Sequence, residues 1–396
     1  MGTLLKGMYR MNKLENLAKN LCPDGVSFDT LGKICTRQKG VSITAGEMRR
    51  LDNPKGKIRI FAAGNTVANV NYGDIPDNAI ITRPSIIVKS RGNIGFEYFT
   101  EPFSHKNEMW SYSTSRDDVN IKFLYYYLSN HTREFQLKTK SGKLPQISTP
   151  DTDNFLVPIP PLPVQQEIVR ILDNFTELTA ELTAELTARK KQYEYYRDQL
   201  LTFGGNAVID SLGNVCKFVR GPFGGSLKKE SFVQEGFAVY EQQHAIYGNF
   251  SFRYFVDEKK FLEMKRFQVQ PGDLIMSCSG TMGKVSIIPD NAKKGIINQA
   301  LLKLTVTDKI ISKFLKYYFE SSTFLNNLNA QTRGGAIKNV ASVSILKDIP
   351  IPLPPVSEQL RIVSILDKFD CLASDISIGL PAEIEARRKQ YEYYRD

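Results

Sequence analysis

The stretch Lys190-Lys-Gln-Tyr-Glu-Tyr-Tyr-Arg-Asp198 returns as Arg388-Lys-Gln-Tyr-Glu-Tyr-Tyr-Arg-Asp396, with eight of nine residues identical. A repeat of that fidelity limits the architecture more than composition does, because both copies must fold as the same unit. The match extends along the chain. Phe28-Asp-Thr-Leu-Gly-Lys-Ile-Cys35 answers Ile209-Asp-Ser-Leu-Gly-Asn-Val-Cys216, 181 positions on. Ser85-Ile-Ile-Val-Lys-Ser-Arg-Gly-Asn-Ile-Gly95 answers Asp273-Leu-Ile-Met-Ser-Cys-Ser-Gly-Thr-Met-Gly283 at an offset of 188. Asn107 matches Asn298, and Phe123–Leu128 matches Phe314–Phe319, both at 191; Thr139–Gly142 matches Thr332–Gly335 at 193. The drifting offset places length changes in loops while the order of elements is kept.

Lys57–Ala63 and Gly236–Glu241 alternate as strands do, and each leads into a turn. The Ser85 and Asp273 segments read as apolar strands running into G-x-x-G turns, and the aromatic runs at 123–128 and 314–319 as core helices. Asn12–Leu21 puts Leu14, Leu17, Ala18 and Leu21 on one helical face before Pro23-Asp-Gly25 stops it. Pro158-Ile-Pro-Pro161 and Pro352-Leu-Pro-Pro355 each precede a long helical pattern, Val164–Leu201 and Ser357–Arg395. Such a helix is roughly 55 Å long and needs a partner for its apolar stripe. Its own duplicate supplies one.

The chain is therefore expected to be α+β: two repeated globular α/β bodies joined by two long antiparallel helices in a coiled coil, with pseudo-two-fold symmetry. The expected boundaries are 11–157 and 204–351 for the bodies, and 158–203 and 352–396 for the helices. Asp173 to Arg189 spans 16 positions where Asp367 to Arg387 spans 20, and the second helix carries Gly379 and Pro381, so a bend belongs there. The N-terminal helix is expected beside the end of the C-terminal one. Met1–Arg10 finds no counterpart, which makes Met11 the expected natural start.

The five cysteines are odd in number and form no CxxC pair, which points to reduced thiols in a cytosol and to neither a disulfide frame nor a zinc site. The matched Cys35 and Cys216 read as buried apolar packing. No apolar run reaches the roughly 18 residues of a membrane helix, and no signal-peptide core is present.

The net charge of +10 favours a polyanionic partner such as nucleic acid, and the expected pseudo-two-fold layout fits double-stranded DNA. Basic residues gather around the predicted turns, among them Arg83 and Arg91 in the first half and Arg220, Lys228, Lys229 and Lys284 in the second; Lys and Arg neutralise phosphate. Base reading needs fixed donor–acceptor pairs. Asn65 and Asn69 follow the first strand, and Gln242, Gln243 and His244 follow its counterpart. Asn suits turns for its backbone geometry, whereas Gln has no such reason to be there. The tetrad Glu177-Leu178-Thr-Ala, Glu181-Leu182-Thr-Ala, Glu185-Leu186-Thr-Ala makes a leucine ridge at i, i+4. Each tetrad adds about 6 Å of helix, near two base pairs, so the run reads as a spacer.

Catalytic patterns are weak. No G-x-x-x-x-G-K-[ST] loop occurs, Glu258-Lys-Lys260 is a poor nuclease pattern, and His105, His131 and His244 lack spaced acid or thiol partners. No cofactor or metal site is expected. The leading reading is a non-catalytic DNA-recognition scaffold. The alternatives are a stand-alone DNA-modifying or DNA-cleaving enzyme and a coiled-coil scaffold without DNA.

Val164-Gln-Gln-Glu-Ile-Val-Arg-Ile-Leu-Asp173 and Ser357-Glu-Gln-Leu-Arg-Ile-Val-Ser-Ile-Leu-Asp367, each after its P-x-P-P, resemble the conserved regions of specificity subunits of type I restriction-modification systems. The tetrad run and Ser279-Gly-Thr-Met-Gly283 are similar to that family too, and the likeness covers nearly the whole chain from Met11. The first region has Val164 where the second has Glu358, a departure from the motif. The resemblance implies two target-recognition domains reading a split DNA site. It also implies helices that dock two methyltransferase (modification) subunits, which carry the S-adenosylmethionine chemistry, and endonuclease (restriction) subunits joining that assembly. Exposed helix stripes make self-association of the isolated chain an expectation.

Overall fold

The computed structural model describes residues 13–139, 144–204, 208–223, 225–278, 283–331, 343–374 and 379–395. It falls into two compact units, Met1–Glu181 with Glu385–Asp396, and Leu182–Ile384.

In the first unit the strands are β1 (Ser27–Thr30), β2 (Thr36–Gln38), β3 (Ile58–Phe61), β4 (Val67–Val70), β5 (Ser85–Lys89), β6 (Gly95–Phe99), β7 (Phe103–His105), β8 (Trp110–Ser113) and β9 (Leu156–Ile159). They form an antiparallel sheet in the order β2-β8-β5-β6, a three-stranded sheet β4-β3-β7 in which β3 and β7 are parallel, and a β1-β9 pair. The run Ser85-Ile-Ile-Val is buried throughout. Successive side chains point to opposite faces. Ile86 and Val88 therefore join the cluster of Phe123, Leu124 and Tyr126 from the helix Ile121–Asn130, while Ile87 joins Phe61 and Phe103 of the smaller sheet.

In the second unit β10 (Ile209–Ser211), β11 (Cys216–Arg220), β12 (Phe237–Tyr240), β13 (Phe255–Val256), β14 (Leu274–Ser277), β15 (Val285–Ile287), β16 (Gly295–Ile297), β17 (Leu301–Val306) and β18 (Pro350–Pro352) repeat the plan. The orders are β11-β17-β14-β15, β13-β12-β16 and β10-β18, again with one parallel pair, β12 with β16. Leu274 and Met276 meet Phe314 and Leu315 of the helix Ser312–Glu320, and Ile275 meets Tyr240 and Ile297. The sequence repeat is thus a repeat of topology, strand for strand. A pair of glycines shows how close the match is. A Cβ on Gly40 would lie 1.8 Å from the His105 carbonyl oxygen, and one on Gly221 would lie 1.9 Å from that of Asn298. In both units the chain passes a neighbouring strand too closely for any side chain.

Each body is fastened to a helix by the same polar clamp. Gln165, 1% exposed, accepts from the Asn120 amide at 2.8 Å and donates to the carbonyls of Asp118 at 2.9 Å and Pro160 at 2.7 Å. Gln359, fully buried, accepts from Ile311 at 2.9 Å and donates to Lys309 at 3.0 Å and Pro354 at 2.9 Å. Asp173 accepts from Tyr126 at 2.5 Å and Lys122 at 2.7 Å, and Asp367 accepts from Tyr317 at 2.6 Å and Lys313 at 2.7 Å.

The first long helix runs unbroken over Leu162–Leu200. The second is described over Val356–Ser374 and Leu380–Arg395, and residues 375–378 between them lie outside the described residues. Pro381 sits in the first turn of the second piece, where its missing N–H leaves no helical bond unmade. In the first unit Tyr394 stacks on Phe175, with centroids 5.1 Å apart; in the second unit Tyr196 stacks on Phe369 at 5.8 Å. Early residues of one helix thus meet late residues of the other, as antiparallel rods require. The N-terminal helix, 13–21, joins Lys13 Nζ to Glu167 Oε2 at 3.1 Å, and Leu14 lines a cleft of about 510 Å³ with Tyr394 and Arg395. Met1–Arg10, the turn 279–282 and most of the matched segments at 139–142 and 332–335 lie outside the described residues.

Candidate DNA interface

The smaller sheet of each unit carries polar side chains, on its strands in the first unit and in a strand connection in the second. On β3, Ile58 and Ile60 are buried and Arg59 between them is exposed. Its partner across the ladder is Asn69, and Arg59 Nε donates to Asn69 Oδ1 at 3.2 Å. The guanidinium lies 5.6 Å from the Phe99 ring centroid. The Asn69 amide in turn donates to Asp52 Oδ1 at 2.9 Å. Asn69 is therefore a half-buried strand residue with its side-chain oxygen already engaged, not a free turn residue. Asn65 is exposed on the turn between β3 and β4, which Gly64 closes at φ +75°. Met48, Ala62 and Ala68 form the floor of a cleft of about 260 Å³ beside that turn, with Arg49 and Lys106 at its rim.

The second unit departs from the expected turn. Gln242–Tyr247 is a short helix, ended by Gly248 at φ +64°. Gln242 and Gln243 are half-buried on its first turn, and His244 is 0% exposed. His244 as a base-reading residue is thus corrected: its Nδ1 accepts from the Glu241 amide at 2.7 Å and its Nε2 faces the Ser251 carbonyl at 2.9 Å. The ring packs among Tyr240, Phe250 and Phe252. Both nitrogens are spent inside the fold, so the imidazole ties the helix to the following loop. Sequence reasoning also passed over Glu241. Its carboxylate takes Arg253 bidentately, Nε to Oε2 and Nη2 to Oε1, both at 2.9 Å, and Gln243 Nε2 lies 3.4 Å from Oε2. An acid placed directly before two glutamines and twelve positions before Arg253 was the available signal.

Arg83, Arg91, Arg220, Lys228, Lys229 and Lys284 are all exposed, but on separate loops and strand ends. Along the long helix, Glu177, Glu181 and Glu185 are exposed, Leu178 and Leu186 half-buried and Leu182 buried, so the tetrads do form a ridge. Thr179 and Thr187 satisfy their hydroxyls on the carbonyls four residues back. Burial pushes the Cys35 and Cys216 thiols up to about 12, which keeps them protonated and inert. Among the described residues no group of His, Cys, Asp and Glu has metal-site geometry, and no helix is long and apolar enough to cross a membrane.

A duplicated α/β body carried on long helices, with different amides and arginines around the smaller sheet of each copy, defines a duplicated recognition scaffold. Known proteins place it further. The family model for the type I restriction modification DNA specificity domain matches residues 23–189 and again 208–386. The specificity subunit of the Escherichia coli type I restriction enzyme EcoR124I/EcoR124II is 36% identical over 312 residues, 74% of each chain. A putative type I restriction enzyme specificity subunit of Haemophilus influenzae is 33% identical, over 71% of this chain and 72% of its own. Two solved structures share the fold at 15% identity. The type I S subunit of M. genitalium has TM-score 0.57 and covers 94% of this chain and 95% of its own. A chain from work on complex assembly and conformational transition of the type I R-M system has TM-score 0.61, covering 95% and 97%. This chain belongs to the type I restriction-modification DNA specificity family, whose members supply sequence recognition.

Proposed function

We propose that the bodies at 11–157 and 204–351 each read one half of a split double-stranded DNA site, and that the helices at 158–203 and 352–396 set the distance between the halves. The helices also dock two methyltransferase (modification) subunits, to which endonuclease (restriction) subunits bind, in the cytoplasm. In this reading the chain itself is not catalytic and carries no cofactor; it places the bases to be methylated. One observation supports it: the two bodies share every sheet yet carry different polar groups around the smaller one, Arg59 and Asn69 on a strand ladder in the first and Glu241, Gln243 and Arg253 in the β12–β13 connection of the second. A common scaffold with dissimilar edges suits two dissimilar half-sequences.

Mapping methylated bases in DNA from cells that carry the complete system tests this. Two short fixed blocks separated by a constant gap are expected. Inserting one Glu-Leu-Thr-Ala tetrad after Ala188 lengthens the helix by about 6 Å, so the preferred gap should grow by about two base pairs. A single continuous block, or a gap that ignores the insertion, refutes the reading.

A further inference from the structure

A buried carboxylate is ordinarily answered by a buried partner, because an unanswered charge in the interior is costly. Glu241 is arranged otherwise. Its side chain is 12% exposed, whereas that of Arg253, which answers it, is 64% exposed. The fork of the guanidinium is fixed along one edge by both carboxylate oxygens. Its Cζ lies over the Tyr254 ring, 5.0 Å from the centroid. Of the five N–H groups of an arginine, two go to Glu241, and no other acceptor among the described residues binds the outer edge formed by Nη1 and the second Nη2 proton. That edge is presented to solvent already oriented.

Two chemistries suit such an edge, a phosphate and the N7 and O6 of guanine. The carboxylate decides between them. Glu241 offsets the positive charge of Arg253, which weakens any pull on phosphate, and leaves the direction of the donors intact. Phosphate contacts need charge more than fixed direction; base contacts need direction. Arg170 makes a similar fork with Glu167, but Lys13 also binds that carboxylate, and Arg170 lies on the long helix.

We propose that Arg253, seated on Glu241, is the residue with which the second body reads a guanine in the major groove. The proposal rests on the DNA-reading role given above. The full chain, assembled with its methyltransferase partners, is offered duplex DNA with both half-sites randomised, and the methylated products are sequenced. The wild type should select a G·C pair at one position of one half-site. Arg253→Lys keeps the charge and loses the fork, so preference at that position should fall about 10- to 100-fold while the other half-site stays as it was. Glu241→Gln should relax the same position. Equal weakening at all positions would make Arg253 a phosphate contact and overturn the proposal, as would an unchanged selection. A wild type that selects no sequence at all would instead sink the DNA-reading role. Thermal melts are run on each variant, and should Arg253→Lys misfold, Arg253→Gln reads the same outcomes.

Discussion

Replacing either clamp glutamine by methionine isolates the polar part of the attachment between body and helix. Methionine is unbranched and of similar length, so it fills the space without creating a large void. Gln359→Met leaves the Ile311 amide and the Lys309 and Pro354 carbonyls without their partner. A buried backbone group left unmade costs about 1–3 kcal/mol. The bonds to Ile311 and Lys309 lie where water has partial access, so each is set near the lower figure, and the fully buried one to Pro354 at about 2 kcal/mol. Burying the thioether in place of the amide returns about 1 kcal/mol. The net loss is about 3 kcal/mol, or roughly 6–12 °C in Tm for a cooperative unit of this size. Gln165→Met removes the same three kinds of bond and should cost the same. Calorimetry on the full chain measures both, since two units are expected to show separable transitions. Each variant should depress one transition. A shift below about 2 °C for either variant, or a large shift for one and none for the other, would refute the claim that the duplicated clamp bears equal weight.

Arg170, and after it Lys13, lower the Glu167 carboxyl to about 2, overcoming the opposing effect of its burial. A carboxyl depressed on folding contributes stability that is present above its unfolded pKa of about 4.3 and is lost as pH falls through the folded value. Wild type and Glu167→Gln should therefore differ most in urea midpoint at pH 5–7 and converge toward pH 2; a difference that grows on acidification would count against the pairing. Among the thiols, exposed Cys371 should be alkylated at pH 8 within minutes, and Cys35 and Cys216 only after unfolding. Native-state mass spectrometry of labelled peptides reads this, and rapid labelling of Cys35 would contradict its burial.

The duplication, the long first helix and the buried Cys35 and Cys216 were legible in the sequence, because each leaves a local mark, whether identity at a fixed offset or a helical period. The edges of the smaller sheets were not. β3 and β4 are joined by residues 62–66, but β12 and β13 are joined by 241–254, so the two edges lose register with each other. Gln242-Gln-His244 was expected to be an open turn. Glu241 and His244 instead close a cap on each other, and only the spatial return of Ser251 and Arg253 shows that the imidazole faces inward. Asn69 was expected in a turn but lies in β4, and the ladder partner that engages it, Arg59, is set by strand register, which no local pattern prints.

The glutamine clamp holds its body through one main-chain amide and one main-chain carbonyl, those of Asn120 and Asp118, groups that nearly every amino acid provides, and its third bond goes to Pro160 at the helix's own start. Nothing in that grip depends on which side chains the body displays on its far edge. Such a fitting behaves like a standard socket: a body carrying another set of edge residues can be grafted onto the same rod and keep these main-chain bonds, provided it also keeps Tyr126 and Lys122 for Asp173. New sequence preferences are then open to this chain by exchange of cassettes, without renegotiating the frame that holds them.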